Sequence, residues 1–310
     1  MGSKRKIILD SDPGHDDAIA ILLAKAYSNI ELLGISVASG NQTIEKTGIN
    51  TFNICKYLNI DVPIALGSSR PLIKEPIICP EIHGDSGLDG FDFPKYDIKF
   101  DSRFGPQLII DTVMNNDDVT VVTTGPLTNL ALAIRIEPKI VFRIKEVVMM
   151  GGSTDYGNIS PAAEFNILVD PEAAYIVFNS GLKIKMLGLN VTRKVLVTNK
   201  IIDRMSKINN KGSDLFCKLM RVFIDNQKKV FGYEGAPLHD PITLVSIIDE
   251  SAVTFKEMNV GIDVSHGPSY GRTNCDILDY LKAKKNAFVA FDVDVNKYWD
   301  IIETALKSFK

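Results

Sequence analysis

The chain of 310 residues lacks the marks of several protein classes. It has only four cysteines, Cys55, Cys79, Cys217 and Cys275, widely scattered and with no CxxC pair. That spacing argues against a zinc site and fits a reducing cytosol, with each cysteine acting as a small buried hydrophobe. No apolar run approaches the length of a membrane span. The opening Met1-Gly2-Ser3-Lys4-Arg5 carries no apolar segment of the kind a signal peptide needs, so a cytoplasmic location is expected. A net charge of −3 leaves no electrostatic reason for a nucleic-acid or membrane-surface partner. Internal repeats, low-complexity tracts and clear linkers are missing as well. One domain spanning 1–310 is the simplest organisation, long enough to bury a sizeable core without disulfides or structural metal.

What is present is concentrated acid. Asp10, Asp12, Asp16 and Asp17 place four carboxylates within eight residues. Ile7 to Leu9 predict a short buried strand. Pro13 and Gly14 end it and turn the chain, and Ala18, Ile19, Ile21, Leu22 and Leu23 predict a helix with a wide apolar face. Asp16 and Asp17 then occupy its first turn, where free N–H groups and the helix dipole favour negative charge. A side-chain period of two puts Asp10 and Asp12 on one side of the strand, and the turn can bring Asp17 back toward Asp12. Acids this close either keep protons or surround a cation. Hard carboxylate oxygens suit calcium or magnesium. Helix capping and solvent exposure would explain any one of these residues. All four at a strand end point instead to a site, because ligands of open α/β sheets bind at the carboxyl ends of strands.

Further along, strands are expected at 31–38, 62–66, 119–123, 146–150 and 184–187, alternating with helical patterns. Asn41 lies in the loop after the second strand, as a ligand contact or a residue satisfying loop backbone. From 67 to 100 the pattern breaks down, which suggests a functional loop or lid; within it His83 faces a ligand or the surface. Thr124-Gly125-Pro126 turns off a strand end and exposes carbonyl oxygens, good ligands for a hard cation. Glu164 and Asn166 flank Phe165 after a Gly-rich loop, lining a polyol pocket or simply solvated. Asp170-Pro171 reads as a helix start, as does Asp240-Pro241. His239 beside Asp240 adds an acid–base group to a second acidic centre, unless it is a satisfied core histidine. After residue 252, β-rich runs at 255–264 and 288–293 suggest an antiparallel extension, closed by a final helix at 295–306.

These residues together resemble the nucleoside hydrolase family, the inosine–uridine preferring N-ribohydrolases. The family's DxDPGxDDAxA motif stands complete as Asp10-Ser11-Asp12-Pro13-Gly14-His15-Asp16-Asp17-Ala18-Ile19-Ala20. The likeness continues through Gly40-Asn41-Gln42-Thr43, His83-Gly84, Thr124 to Asn129, Met149-Met150-Gly151-Gly152, Glu164-Phe165-Asn166, Asp170 to Ala174 and His239-Asp240-Pro241, in the family's order. The resemblance implies an open, mostly parallel α/β sheet flanked by helices, a Rossmann-like core, with a small antiparallel extension. It implies a calcium ion at the pocket floor held by Asp12, Asp17, the carbonyl of Thr124 and Asp240. It implies hydrolysis of a ribonucleoside to ribose and free base, with broad inosine and uridine use, by a homo-oligomer, a dimer or tetramer. Asp12 is the implied general base and His239 the implied acid for the leaving base, with Asp240 favouring its protonated form. Asp16, Asn41 and Asn166 would hold the sugar diol or the water, Asn158 and Glu164 the 5′ hydroxyl, and Met150 and Phe165 would pack by the sugar. Phe231 and Tyr233 lie where the family contacts the base, but no motif aligns 223–233.

Three other readings compete. A pyrimidine preference lies within the family. A nucleoside- or calcium-binding protein without turnover would share the fold. A haloacid dehalogenase-type phosphohydrolase also places DxD after its first strand, but Pro13-Gly14-His15 and the extra acidic pair depart from that pattern.

Overall fold

The computed structural model describes residues 4–309. Met1 to Ser3, on which the expectation about the amino-terminal segment rests, lie outside them. The strands are β1 (Arg5–Ser11), β2 (Ile30–Val37), β3 (Ile64–Leu66), β4 (Thr120–Thr123), β5 (Glu146–Met150), β6 (Ile184–Leu187), β7 (Leu196–Val197), β8 (Ala236–Pro237), β9 (Val253–Met258), β10 (Val260–Ile262), β11 (Thr273–Cys275) and β12 (Ala287–Val293). Eight of them form one sheet in the order β3-β2-β1-β4-β5-β6-β12-β9. Every neighbouring pair is parallel except β12–β9, so β9 is an antiparallel edge strand. The pairs β7–β8 and β10–β11 make two small antiparallel ladders. This is the open, mostly parallel α/β sheet with a small antiparallel addition that the sequence implies.

The strands read as continuous apolar runs because both sheet faces are covered. Ile7 and Leu9 of β1 point into one core, with Val122 and Val148, under helices His15–Ala26, Ile44–Tyr57, Lys211–Phe231, Pro241–Ile248 and Val295–Lys307. Ile8 points into the other, with Val121 and Val147, under helices Gly105–Asn115, Thr128–Ile136 and Pro171–Phe178. Helix His15–Ala26 is buried on all sides from Ala18 to Leu23, so its apolar character is a full circumference, wider than the face expected. Among the described residues no helix is long and apolar enough to cross a membrane.

Strand order turns back between β1 and β4. Such a switch point opens a crevice at the carboxyl edge. Asp12 follows β1 there and Thr124 follows β4.

Several local expectations change. The 67–100 segment contains a short helix, Pro80–His83, and is strapped down: Phe91 and Phe93 pack edge-on against Tyr57, and Phe100 against Phe52. These contacts seat residues 91–100 against helix Ile44–Tyr57. The run 255–264 breaks at Asn259 into β9 and β10, which pair with different partners. The short helix Phe165–Val169 stands where Glu164 and Asn166 read as loop, and Leu189–Thr192 is a second short helix, since five and four residues are too few to show a helical period.

Candidate active site

The floor of the crevice is acidic and buried. One oxygen from each of Asp16, Asp17 and Asp240 lies within 4.8 Å of the others. Asp17 is the most tied: its Oδ1 accepts from Ser11 at 2.8 Å and Thr124 Oγ1 at 2.7 Å, its Oδ2 from the Gly14 N–H at 3.0 Å. Asp12 stands beside this group. Its Oδ2 accepts the Asn41 N–H at 2.7 Å, while its Oδ1 is buried with no partner. The Asn41 amide links the two acids, donating at 3.1 Å to both the Asp12 carbonyl and Asp17 Oδ2. Gly40 and Gly125 approach so closely that a Cβ on either would collide with the Asp12 carboxylate.

Asp10 does not join the cluster, although strand alternation suggested that it shares a side with Asp12. Asn129 takes it instead, donating to Asp10 Oδ1 at 2.9 Å and to the Val37 carbonyl at 3.0 Å, so this acid braces β1 to β2. Burial pushes Asp10 up to about 7.

The electrostatics of the floor follow from desolvation and crowding. Burial, then Asp17, pushes Asp16 up to about 7. Burial first and neighbouring carboxylates second hold Asp12 and Asp240 well above the usual range, and burial raises Asp17. A divalent cation would reverse that penalty. The donor set fits a hard one: clustered carboxylates, the unpaired Asp12 Oδ1 and the Thr124 carbonyl all offer oxygen.

The walls carry the other expected residues. Asp16, Asn41, His83, Thr124, Met150, Asn158, Glu164, Phe165, Asn166, His239 and Asp240 all line one cavity of about 970 Å³, its open mouth included. Asn166 donates to the Thr124 carbonyl at 2.9 Å and the Met150 carbonyl at 3.2 Å. Glu164 caps helix Phe165–Val169, accepting N–H groups of Asn166, Ile167 and Gly152. Burial pushes it up to about 7 despite those bonds. Asn158 accepts the Phe165 N–H at 2.9 Å, which leaves its amide donors unpaired among the described residues.

His83 is buried and His239 half-buried. His83 accepts the His15 backbone N–H on Nδ1 at 3.2 Å and stacks with His15 and Phe223. Burial, then His15 and His239, hold it well below the usual histidine range. His239 places Nδ1 2.7 Å from Thr192 Oγ1. Enclosure first, and the Arg193 guanidinium second, push its pKa down to about 3. The expectation that Asp240 would favour a protonated His239 is thus reversed, because desolvation of the ring outweighs the adjacent acid.

Sequence reasoning passed over several lining residues. Gln227 is buried in the wall, its carboxamide without a partner among the described residues. It continues the buried stripe Leu219, Met220, Phe223, Ile224 of helix Lys211–Phe231, so a polar residue at helical spacing on an apolar face was the available signal. Arg193 clamps the loop that carries Asn158: it donates to the Gly157 carbonyl at 2.6 Å and the Tyr156 carbonyl at 3.2 Å and lies 3.8 Å over the Tyr156 ring. Thr192 and Arg193 carry no motif. Phe223 lines the cavity too, and so do Phe231 and Tyr233, the two aromatics already named from the sequence, both half-open at its mouth.

Acids that can grip a cation and a diol, an unpaired carboxylate oxygen, and imidazole across an apolar chamber suit cleavage of a sugar from a planar leaving group. The model of a family described as inosine-uridine preferring nucleoside hydrolase matches residues 7–300. A pyrimidine-specific ribonucleoside hydrolase of Escherichia coli strain K12 is 42% identical over 307 residues, covering 99% of this chain and 98% of its own. A purine-preferring ribonucleoside hydrolase structure from Gardnerella vaginalis superposes with a TM-score of 0.91 at 32% identity, covering 97% of this chain and 98% of that one. Similarity of this extent means that the chain belongs to the inosine-uridine preferring nucleoside hydrolase family.

Proposed function

We propose that the chain hydrolyses the N-glycosidic bond of ribonucleosides to ribose and free base, with calcium at the Asp16–Asp17–Asp240 floor and Asp12 and Thr124 contributing oxygens. The observation that carries this reading is the convergence of four buried carboxylates, Asp12, Asp16, Asp17 and Asp240, beneath one apolar-walled cavity. A calcium ion bound there supplies Lewis-acid polarisation of oxygens brought against it. Asp12 Oδ1, buried and unpaired, accepts the proton of the attacking water. Asp16, Asn41 and Asn166 hold the 2′ and 3′ hydroxyls; Asn158 and Glu164 hold the 5′ hydroxyl. Phe165 and Met150 lie against the sugar, where a π face and a soft sulfur tolerate the charge of an oxocarbenium-like transition state. His239 and His83 face the departing base.

Broad inosine–uridine use is the expectation from the motifs. The carboxamide of Gln227 can pair with the N3–H and O4 edge of uracil or with the N1–H and O6 edge of hypoxanthine, so it serves a base of either class. The 42% identical relative, named as pyrimidine-specific, supports the pyrimidine alternative. Free, scattered cysteines support a cytoplasmic location, and sedimentation of the purified chain tests homo-oligomer formation. Inosine, guanosine, adenosine, uridine and cytidine assayed for reducing sugar test the whole reading. Uridine and cytidine are expected to release ribose fastest; no ribose from any of the five would leave a binding protein, and faster inosine would restore the broad specificity.

A further inference from the structure

The two ring nitrogens of His239 have different surroundings. Nδ1 meets the Thr192 hydroxyl at 2.7 Å. His239 lines the cavity, and its Nε2 has no protein partner among the described residues. Thr192 ends the short helix Leu189–Thr192 and is wholly buried. Among the described residues its hydroxyl has no acceptor other than His239 Nδ1.

Two proton arrangements satisfy the 2.7 Å contact. If Nδ1 carried the proton, it would donate to Oγ1, and the hydroxyl hydrogen would be buried with nothing to accept it. That arrangement carries the desolvation penalty of an unmade bond. If the hydroxyl donates to Nδ1, every polar group on that side is satisfied, and the ring proton must sit on Nε2. We propose that Thr192 is a positioning residue that fixes His239 as the Nε2–H tautomer, so that the ring offers the cavity a hydrogen-bond donor. The opposite tautomer would present a lone pair to a base that gains negative charge as its bond to the sugar breaks. A donor already aimed at that developing charge acts as an oxyanion hole does, without rearrangement at the moment of reaction. The catalytic consequence rests on the proposed ribonucleoside hydrolysis; the tautomer itself does not.

The test has a spectroscopic arm and a kinetic arm. The chain has four histidines, so long-range proton–nitrogen spectra of the whole protein are assignable from a His239→Gln control. In the wild type, His239 is expected to show a protonated Nε2 and a bare Nδ1; Thr192→Val should mix the tautomers, and Thr192→Ser should restore the original pattern. In the kinetic arm, Thr192→Val is expected to lower kcat on uridine by about tenfold or more, within the range for loss of an aimed donor. On p-nitrophenyl riboside, whose leaving group is already activated, the loss should stay within about threefold, and Thr192→Ser should recover both. A protonated Nδ1 on wild-type His239 would overturn the proposal. So would equal losses on both substrates in a Thr192→Val protein of native circular dichroism, which would reduce Thr192 to packing. Absence of wild-type turnover on either substrate would sink the proposed function instead, with the spectra still deciding the tautomer.

Discussion

The two oxygens of Asp12 are treated differently by the fold. Oδ2 is spent on the Asn41 N–H at 2.7 Å, while Oδ1 is buried and bare. A carboxylate held by one oxygen and free at the other is oriented yet still able to take a proton. Asp12→Asn keeps the shape and the acceptor for Asn41 but puts an amide nitrogen where Oδ1 was, so it removes the base and an oxygen offered to the cation together. It should lower kcat on uridine by about 10²- to 10⁴-fold; near-normal ribose release would remove Asp12 from proton transfer. Gln227 is placed to meet the base. Gln227→Leu is expected to lower kcat/KM for uridine by about tenfold, since a polar base loses its partner against an apolar wall. An unchanged kcat/KM would mean that Gln227 only shapes the cavity.

At the scale of elements, opposite ends of the sheet do different work. The carboxyl ends hold the candidate site, and the amino ends of β1, β5 and β6 gather cations around the buried Glu146. Glu146 at the start of β5 meets Arg5 at 2.8 Å, Lys183 at 3.0 Å and Lys185 at 3.4 Å. Burial works against its charge, but Lys183, Lys185 and Arg5 hold it below the usual glutamate range. Removing Glu146 leaves Lys185, the most enclosed of its partners, without that counter-charge, while Arg5 keeps Glu250 and Lys183 keeps water. Glu146→Ala should therefore cost about 1–2 kcal/mol of stability, readable as a lower urea midpoint at constant slope, with kcat unchanged. A lowered kcat in the folded variant would show that this edge communicates with the site.

For the whole molecule, the buried acids tie stability to pH. Glu164 stands at about 7 against an ordinary 4.5, and Asp10 at about 7 against 3.8, both through burial. Between about 4.5 and 7 the folded chain keeps protons on these groups that the unfolded chain has released. Stability then falls as pH rises through that window, by on the order of 3 kcal/mol for Glu164 across its full shift. The acids of the floor add to the same slope when no cation is present, because each is raised as well. His15, His83 and His239, held below the usual histidine range by burial, oppose that slope up to about pH 6.5, so thermal midpoints in a chelator should decline most clearly from about pH 6.5 to pH 7.5. Calcium should raise the midpoint most at the upper end, where the floor is ionised and binding is strongest. A midpoint in chelator that climbs steadily to pH 7.5, or one indifferent to calcium, would contradict this account.

Local pattern in the chain determined much of what the protein is. Apolar runs specified the parallel strands, Asp170-Pro171 marked a helix start, and the acids around Pro13-Gly14 announced a strand-end site, because alternation, proline geometry and charge crowding act over a few residues. The 223–233 region stayed obscure for the same reason, since Gln227 gains its meaning only from the wall it joins. Tertiary structure alone decided which acids meet. Asp240 reaches the floor from the far part of the chain, Asp10 is drawn off by Asn129, and Thr192 meets His239 across a loop. It also decided which groups hold protons, because desolvation depends on everything packed around a side chain and nothing in its neighbours along the chain encodes it.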